Sequence, residues 1–132
     1  DYKIIVVTNQ SGISRGYYTE RDFQNITNWM KDEFKRKDID ILDVLHCPHL
    51  PNSNCNCRKP QPGLFIKAQG KHNIDMGKSW VIGDKESDIS AAMNSGIKNT
   101  ILFSSSNKIN EDKSNAKYII DSLHNLNQII FD

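Results

Sequence analysis

The chain has 132 residues, of which 17 are basic and 16 are acidic, so its formal net charge at pH 7 is +1. That balance gives no electrostatic reason to expect binding to nucleic acid or to an anionic membrane. Hydrophobic residues make up 37% of the chain, no apolar run approaches the roughly 20 residues that span a bilayer, and the opening stretch DYKIIVVTNQ lacks the features of a secretory signal. The composition therefore predicts a cytoplasmic globular protein with neither nucleic acid nor membrane as a partner.

Predicted strands and helices alternate along the chain. Short apolar runs predict strands at 3–9, 39–47, 79–84, 98–103 and 116–121. Helical spacing and terminal signals predict helices at 19–37, 62–73, 85–96 and 122–131, and a polar loop is predicted at 104–115. Strands that alternate with helices favour an α/β fold. We therefore expect one domain over 1–132, built as a Rossmann-like parallel sheet with helices on both faces.

The first predicted helix has a recognisable start and an apolar face. Thr19, with Asp22 three residues later, predicts an arrangement like a capping box at its N-terminus. Apolar side chains then recur at helical spacing and predict one buried face, formed by Phe23, Ile26, Met30 and Phe34.

Polar segments follow the ends of three predicted strands, at 8–12, 58–59 and 83–88. Ligands of parallel sheets bind at the carboxyl ends of the strands. The segments supply hydroxyl and amide donors, two cations and two carboxylates, a mixture that suits an oxyanion and a divalent metal, as in phosphoryl chemistry. Each segment alone has an ordinary alternative, since 8–12 could be a turn, Asp84 a helix cap and Asp88 a solvated helix position.

All three cysteines lie in the segment 47–60, CPHLPNSNCNCRKP. Cys47, His49, Cys55 and Cys57 offer three sulfurs and one imidazole, a preferred tetrahedral set for structural Zn²⁺. An odd number of cysteines, two of them separated by one residue, argues against a disulfide framework. The alternative is a loop with free thiols. We expect the loop to be stapled by zinc, because a long loop without secondary structure needs such a constraint.

The motifs together resemble the HAD superfamily of phosphatases. The resemblance is carried by TNQSG at 8–12, by Lys59 in CRKP, and by Asp84 and Asp88 in VIGDKESD. The longer stretches TNQSGISRGYYTE and CPHLPNSNCNCRKPQPGLF resemble the zinc-loop families of D-glycero-D-manno-heptose-1,7-bisphosphate 7-phosphatases and of histidinol-phosphate phosphatases. We expect the first activity, on a small phosphorylated sugar in lipopolysaccharide precursor synthesis, with the second as the alternative.

The resemblance implies an aspartyl-phosphate mechanism that depends on Mg²⁺, and it assigns roles to several residues. Thr8 binds the transferring phosphoryl group, Lys59 neutralises charge, and Asp88 positions Lys59. Asp84 is the implied Mg²⁺ ligand. The residues implied to bind substrate are Asn9, Gln10, Arg15, Arg58 and Lys85. The zinc loop would hold the two cations at 58–59 toward the phosphate.

One departure from the HAD pattern concerns the nucleophile, which in the superfamily belongs to an Asp-x-Asp pair ahead of the threonine motif. No such pair precedes Thr8, and the DID at 38–40 follows it. The resemblance therefore predicts that the chain is truncated at its N-terminus, lacks the central nucleophile strand and is inactive by itself. An inactive pseudoenzyme and a zinc-binding module are further alternatives.

The expected loss of a central strand also bears on the sheet. Strands 3–9 and 79–84 would each lose a neighbour, and unpaired backbone groups are costly when they are buried. We expect these two strands to pair directly, or a partner chain to fill the gap. The resemblance implies a monomer for intact members of the family, so an oligomer is expected only for the truncated chain.

Overall fold

The computed structural model describes residues 1–105 and 113–132. The backbone divides into two compact units, residues 1–58 and 59–132, which are described in turn. The expectation of a single domain over 1–132 stays a prediction. Most of the predicted polar loop at 104–115 lies outside the described residues. No helix in the described part of the chain is both long enough and apolar enough to cross a membrane.

The first unit contains strands β1 (Ile4–Asn9) and β2 (Ile41–Cys47), with helix α1 (Glu20–Lys35) between them in sequence. The two strands pair in parallel, and their register places Thr8 opposite His46 and Asn9 opposite Cys47. The carboxyl ends of the strands therefore lie side by side. This register brings the threonine motif next to the start of the cysteine loop.

Helix α1 begins at the predicted cap. The Thr19 side chain accepts a hydrogen bond from the Asp22 backbone N–H at 3.1 Å, and the Asp22 carboxylate accepts one from the Thr19 N–H at 2.8 Å. These bonds hold the pKa of Asp22 below its usual value. The capping box is therefore confirmed, and Asp takes the place of the more usual Glu or Gln.

The buried face of α1 differs from the predicted one. Phe23 and Thr27 are buried, whereas Ile26 is 58% exposed and Phe34 is 39% exposed. Positions four apart share a helix face, so the buried line through Phe23 continues at Thr27. The Phe23 ring packs on the ring of His46, with centroids 4.2 Å apart. A prediction from hydrophobicity alone does not identify the polar Thr27 as part of the buried face.

The second unit contains three strands and three α-helices in its described residues. The helices are α2 (Gly63–His72), α3 (Glu86–Asn94) and α4 (Leu126–Ile130), and the strands are β3 (Trp80–Gly83), β4 (Asn99–Phe103) and β5 (Tyr118–Ile120). The strands form a parallel sheet in the order β3-β4-β5. The predicted closing helix is broken, because a 3₁₀ turn at Leu123–Asn125 precedes α4. The core of this unit includes Ile89, Ala91, Ala92, Ile101 and Leu102.

The described strands form two hydrogen-bonded sheets, β1-β2 and β3-β4-β5, and every ladder is parallel. The α/β prediction is confirmed. Of the two expected alternatives, direct pairing of β1 with β3 is not found, since within the described residues these strands belong to different sheets. The other alternative, a partner chain beside them, stays a prediction. The residues of β1 are exposed or half-buried in the chain.

Candidate active site

The end of β1 places Thr8 in a small polar network. The Gln10 side-chain amide donates a hydrogen bond to the Thr8 hydroxyl oxygen at 2.9 Å. The Gln10 backbone N–H donates to the carbonyl of Cys47 at 2.7 Å, which continues the parallel ladder beyond the strand. The Thr8 hydroxyl lies 3.5 Å from the carbonyl oxygen of Asn9. These contacts fix the Thr8 and Gln10 side chains beside each other at the end of β1.

A tight turn follows this network. The N–H of Arg15 donates to the Ser11 carbonyl at 3.0 Å, and the N–H of Gly16 donates to the Ile13 carbonyl at 3.1 Å. Gly16 has a φ of 74°, a conformation that favours glycine. The Arg15 side chain is exposed, with its Nε 3.3 Å from the Ser11 hydroxyl. The turn leaves the Arg15 guanidinium accessible to an anion.

The same turn is tied to residues that the sequence did not single out. The Ser14 hydroxyl donates to the Pro48 carbonyl at 2.6 Å, which joins the turn to the start of the cysteine loop. The Tyr18 hydroxyl donates to the side-chain oxygen of Gln10. No spacing rule marks either residue, because both contacts depend on how the turn folds back.

The predicted metal ligands Cys47, His49, Cys55 and Cys57 come together, and their ligand atoms all lie within 4.8 Å of one another. His49 Nδ1 is 3.3 Å from Cys47 Sγ and 3.1 Å from Cys57 Sγ, and Cys47 Sγ is 3.6 Å from Cys55 Sγ and 2.8 Å from Cys57 Sγ. Two sulfurs bound about 2.3 Å from one zinc ion lie roughly 3.8 Å apart. The Cys47–Cys55 distance is close to this value, whereas the Cys47–Cys57 distance is about 1 Å shorter. The convergence of three sulfurs and one imidazole, rather than their exact spacing, is what suits a tetrahedral metal ion.

The thiols of Cys55 and Cys57 have pKa values shifted in opposite directions. Burial acts to raise the pKa of Cys55, but hydrogen bonds from Ser53, from the Arg58 backbone and from neighbouring cysteines lower it to about 6. Burial, followed by hydrogen bonding with Cys47 and Cys55, raises the pKa of Cys57 to about 12. A divalent cation would neutralise the negative charge of thiolates that lie this close together.

Arg58 follows the metal cluster directly in sequence. Its Nη1 atom is buried and has no hydrogen-bond partner within residues 1–105 and 113–132. An unpaired buried donor is costly, more so when it carries charge. A carboxylate or phosphate oxygen is the usual partner of a guanidinium. Arg58 is thus suited to hold an anionic ligand.

Lys59 and Asp88 form a largely buried ion pair in the second unit. Lys59 Nζ lies 2.5 Å from Asp88 Oδ1, and the two side chains are 13% and 9% exposed. The Lys85 backbone N–H donates to the other Asp88 oxygen, Oδ2, at 3.1 Å. The carboxylate is therefore fixed from two sides and can aim the Lys59 ammonium group.

The loop between β3 and α3 is shaped around this ion pair. A Cβ atom on Gly83 would lie 2.5 Å from Asp88 Oδ2 and 2.6 Å from Asp88 Cγ. Only glycine leaves room for the carboxylate at this position. Asp84 and Lys85 follow directly and are both exposed at the carboxyl end of β3. Asp84 is therefore an accessible oxygen ligand for a hard cation such as Mg²⁺.

Comparison with known proteins gives a family match. The model of a HAD-hydrolase-like family matches residues 56–126. A D-glycero-α-D-manno-heptose-1,7-bisphosphate 7-phosphatase of Photorhabdus laumondii is 43% identical over 122 residues, which cover 87% of this chain and 67% of that protein. A D-glycero-β-D-manno-heptose-1,7-bisphosphate 7-phosphatase of Helicobacter pylori is 44% identical over 102 residues, which cover 76% of this chain and 59% of that protein.

Two solved structures resemble the chain. A D,D-heptose 1,7-bisphosphate phosphatase from B. bronchiseptica, complexed with magnesium and phosphate, matches with a TM-score of 0.73 and 28% identity, over 78% of this chain and 57% of that one. A HAD-like phosphatase structure from Mesorhizobium loti matches with a TM-score of 0.80 over 98% of this chain and 64% of that one. At 24% identity, the second match supports the fold alone.

The fold and the family model define the class of the protein as a HAD-like hydrolase. Sequence identity to named relatives narrows this class to one family within it. The chain belongs to the family of D-glycero-D-manno-heptose-1,7-bisphosphate 7-phosphatases. It spans between 57% and 67% of the length of three of the heptose-bisphosphate phosphatases that it matches.

Proposed function

We propose that the complete product of the gene encoding these residues hydrolyses the C7 phosphate ester of D-glycero-D-manno-heptose 1,7-bisphosphate, in the synthesis of lipopolysaccharide precursors. The observation that carries phosphoryl chemistry is the buried ion pair between Lys59 and Asp88. A fixed ammonium group that can meet developing negative charge is a main requirement of phosphoryl transfer. The choice of substrate rests on the relatives, which are named for this reaction.

Each residue has a defined role in this proposal. The Thr8 hydroxyl and the Asn9 backbone N–H are proposed to bind phosphoryl oxygens, and Lys59 is proposed to neutralise charge during phosphoryl transfer. Asp88 holds Lys59 in position. Further contacts with the substrate come from polar and basic side chains, namely Gln10, Arg15, Arg58 and Lys85. The resemblance implies an aspartate nucleophile, and none of the present residues is assigned that step.

Magnesium is the proposed cofactor of the reaction, and Asp84 is its proposed ligand in this chain. The exposed Asp84 carboxylate offers the type of oxygen that Mg²⁺ prefers. The related structure from B. bronchiseptica is described as a complex with magnesium and phosphate. When bound, the cation would supply charge neutralisation at phosphoryl oxygens.

Zinc is the proposed occupant of the cysteine cluster, where it would have a structural role. Four ligands from the chain leave no open position, which is typical of structural rather than catalytic zinc. The zinc would fix the loop that ends at Arg58 and so hold the guanidinium in place. Ligation requires reduced thiols, which suits a reducing compartment such as the cytoplasm.

The proposed role of Lys59 is tested by a charge-removing substitution in the complete gene product. Lys59→Met should lower kcat/KM on the heptose bisphosphate by about 100-fold or more, because charge stabilisation in the transition state is lost. Lys78→Met is the matched control, since Lys78 is an exposed lysine whose side chain is 86% accessible. Equal activity of the two variants, measured by phosphate release on folded protein, would contradict the role of Lys59.

The absence of an Asp-x-Asp pair ahead of Thr8 gives a second expectation for the same assay. Residues 1–132 by themselves should release no phosphate above the buffer control, because no nucleophile is assigned among them. Turnover by these residues alone would show that a different group carries the attack.

A further inference from the structure

Three side chains of the first unit form a chain of hydrogen bonds that ends at Thr8. The Tyr18 hydroxyl donates to Gln10 Oε1, and Gln10 Nε2 donates to Thr8 Oγ1 at 2.9 Å. All three residues are half-buried. Tyr18 lies ten positions after Thr8 in the sequence, so the turn that follows β1 is what brings them together.

The chain of hydrogen bonds has a direction. An amide side chain accepts at its oxygen and donates at its nitrogen. Because Tyr18 occupies the oxygen of Gln10, the nitrogen is turned toward Thr8. A hydroxyl oxygen that accepts from this nitrogen must point its own proton elsewhere. The Thr8 hydroxyl lies 3.5 Å from the Asn9 carbonyl oxygen, a distance too long for a strong bond, so the proton is available to an incoming anion.

Gly12 supports this arrangement independently. A Cβ atom at Gly12 would lie 2.7 Å from Cζ and 2.9 Å from the hydroxyl oxygen of Tyr18. The Tyr17 backbone N–H donates to the Gly12 carbonyl at 2.9 Å, which closes the turn beneath the ring. Gly12 is therefore required for space, and the turn is shaped to seat the Tyr18 phenol against it.

We propose that Tyr18 is a positioning residue that acts through Gln10 to direct the Thr8 hydroxyl proton toward a phosphoryl oxygen of the substrate. The proposal rests on the proposed function for the identity of the ligand that Thr8 binds. In this proposal the Thr8 hydroxyl is oriented before the phosphate binds. The hydroxyl therefore does not have to rotate during the reaction.

The kinetic test uses Tyr18→Phe in the complete gene product, which removes one hydroxyl and keeps the ring. We expect kcat on the heptose bisphosphate to fall about tenfold, the effect of roughly one hydrogen bond, with little change in KM. Tyr17→Phe is the matched control, because the adjacent Tyr17 is 77% exposed, and it should leave kcat unchanged. Equal rates for the two variants would overturn the proposal.

A double-mutant cycle separates positioning from a general structural effect. Thr8→Val removes the hydroxyl that Tyr18 is proposed to orient. If Tyr18 acts through Thr8, Tyr18→Phe should cause no further loss of kcat in the Thr8→Val background, since neighbours that act as a unit are not additive. Independent losses that multiply in the double variant would overturn the proposal.

A third readout does not depend on activity. In the 132-residue chain, the Gln10 side-chain N–H signals in a ¹⁵N-correlated NMR spectrum should shift toward those of a free glutamine in Tyr18→Phe and stay in place in Tyr17→Phe. Signals that are identical in both variants would refute the hydrogen-bond chain. Absence of phosphatase activity in the wild-type gene product would instead refute the proposed function, with the NMR result still standing.

Discussion

At the scale of single residues, the proposed zinc site depends on four side chains that converge from a segment of eleven positions. Their ligand atoms lie within 4.8 Å of one another. Each ligand atom would occupy one corner of a tetrahedron around the ion, so the loss of one side chain leaves an incomplete site. Metal-binding free energy contributes directly to folding where the loop has little other support.

His49→Ala is predicted to abolish stable zinc binding. Wild-type protein purified without chelator should hold about one Zn²⁺ per chain, and the variant should hold much less and melt about 5 °C lower or more. The control is His124→Ala, which removes an exposed imidazole and should keep both zinc content and Tm. Metal analysis and thermal unfolding check this, and full zinc occupancy in His49→Ala would contradict it.

Sequence reasoning identified the side chains that carry recognisable chemistry. The four candidate zinc ligands could be identified by residue type and by their clustering in one short segment, and the structure brings them together. Lys59 and Asp88 could be read as members of a motif, and the structure pairs them. Tyr18 and Ser14 could not be predicted, because their partners are set by the path of a turn, and tyrosine and serine occur in many surface loops.

At the scale of elements, the junction between β3 and α3 depends on a close approach at Gly83. The Asp88 carboxylate occupies the volume that a side chain at this position would need. Gly70, in helix α2, is the opposite case, since a Cβ atom there would meet nothing within 4 Å. The two glycines therefore make a matched pair for testing whether the close approach matters.

Gly83→Ala is predicted to displace Asp88 and weaken its ion pair with Lys59. The free energy of unfolding should fall by about 1–3 kcal/mol, as expected for overpacking a filled site, and phosphatase activity of the complete gene product should fall with it. Gly70→Ala should raise stability by up to about 1 kcal/mol, because alanine favours a helix over glycine. Chemical denaturation measures both, and a neutral Gly83→Ala would refute the packing argument.

The elements themselves could largely be predicted from hydrophobic periodicity and caps. The Thr19 cap of α1 and the strand that ends at Asn9 were correct. The buried face of α1 was partly wrong, because the buried position after Phe23 is taken by the polar Thr27. A hydrophobicity pattern cannot distinguish an exposed isoleucine such as Ile26 from a buried one. That distinction requires knowledge of the partners of the helix.

At the scale of the whole molecule, the sequence predicted that strands pair in parallel but not which strands are neighbours. The alternation of strands and helices predicted parallel ladders, and all described ladders are parallel. Direct pairing of β1 with β3, one of the two alternatives expected, is not found within the described residues, because hydrophobic patterning predicts strands but not which strands become neighbours. Family membership, by contrast, could be inferred from the two long motifs, since they combine unusual residues at fixed spacing.

Phosphorus NMR shows directly which phosphate leaves which substrate. The complete gene product is incubated with D-glycero-D-manno-heptose 1,7-bisphosphate and Mg²⁺, and in parallel with histidinol phosphate. We expect the C7 phosphomonoester signal to be replaced by inorganic phosphate while the C1 signal remains. We also expect kcat/KM to be at least about tenfold above that for histidinol phosphate, a difference of roughly 1.4 kcal/mol. Loss of the C1 signal, retention of both signals, or faster turnover of histidinol phosphate would contradict these expectations.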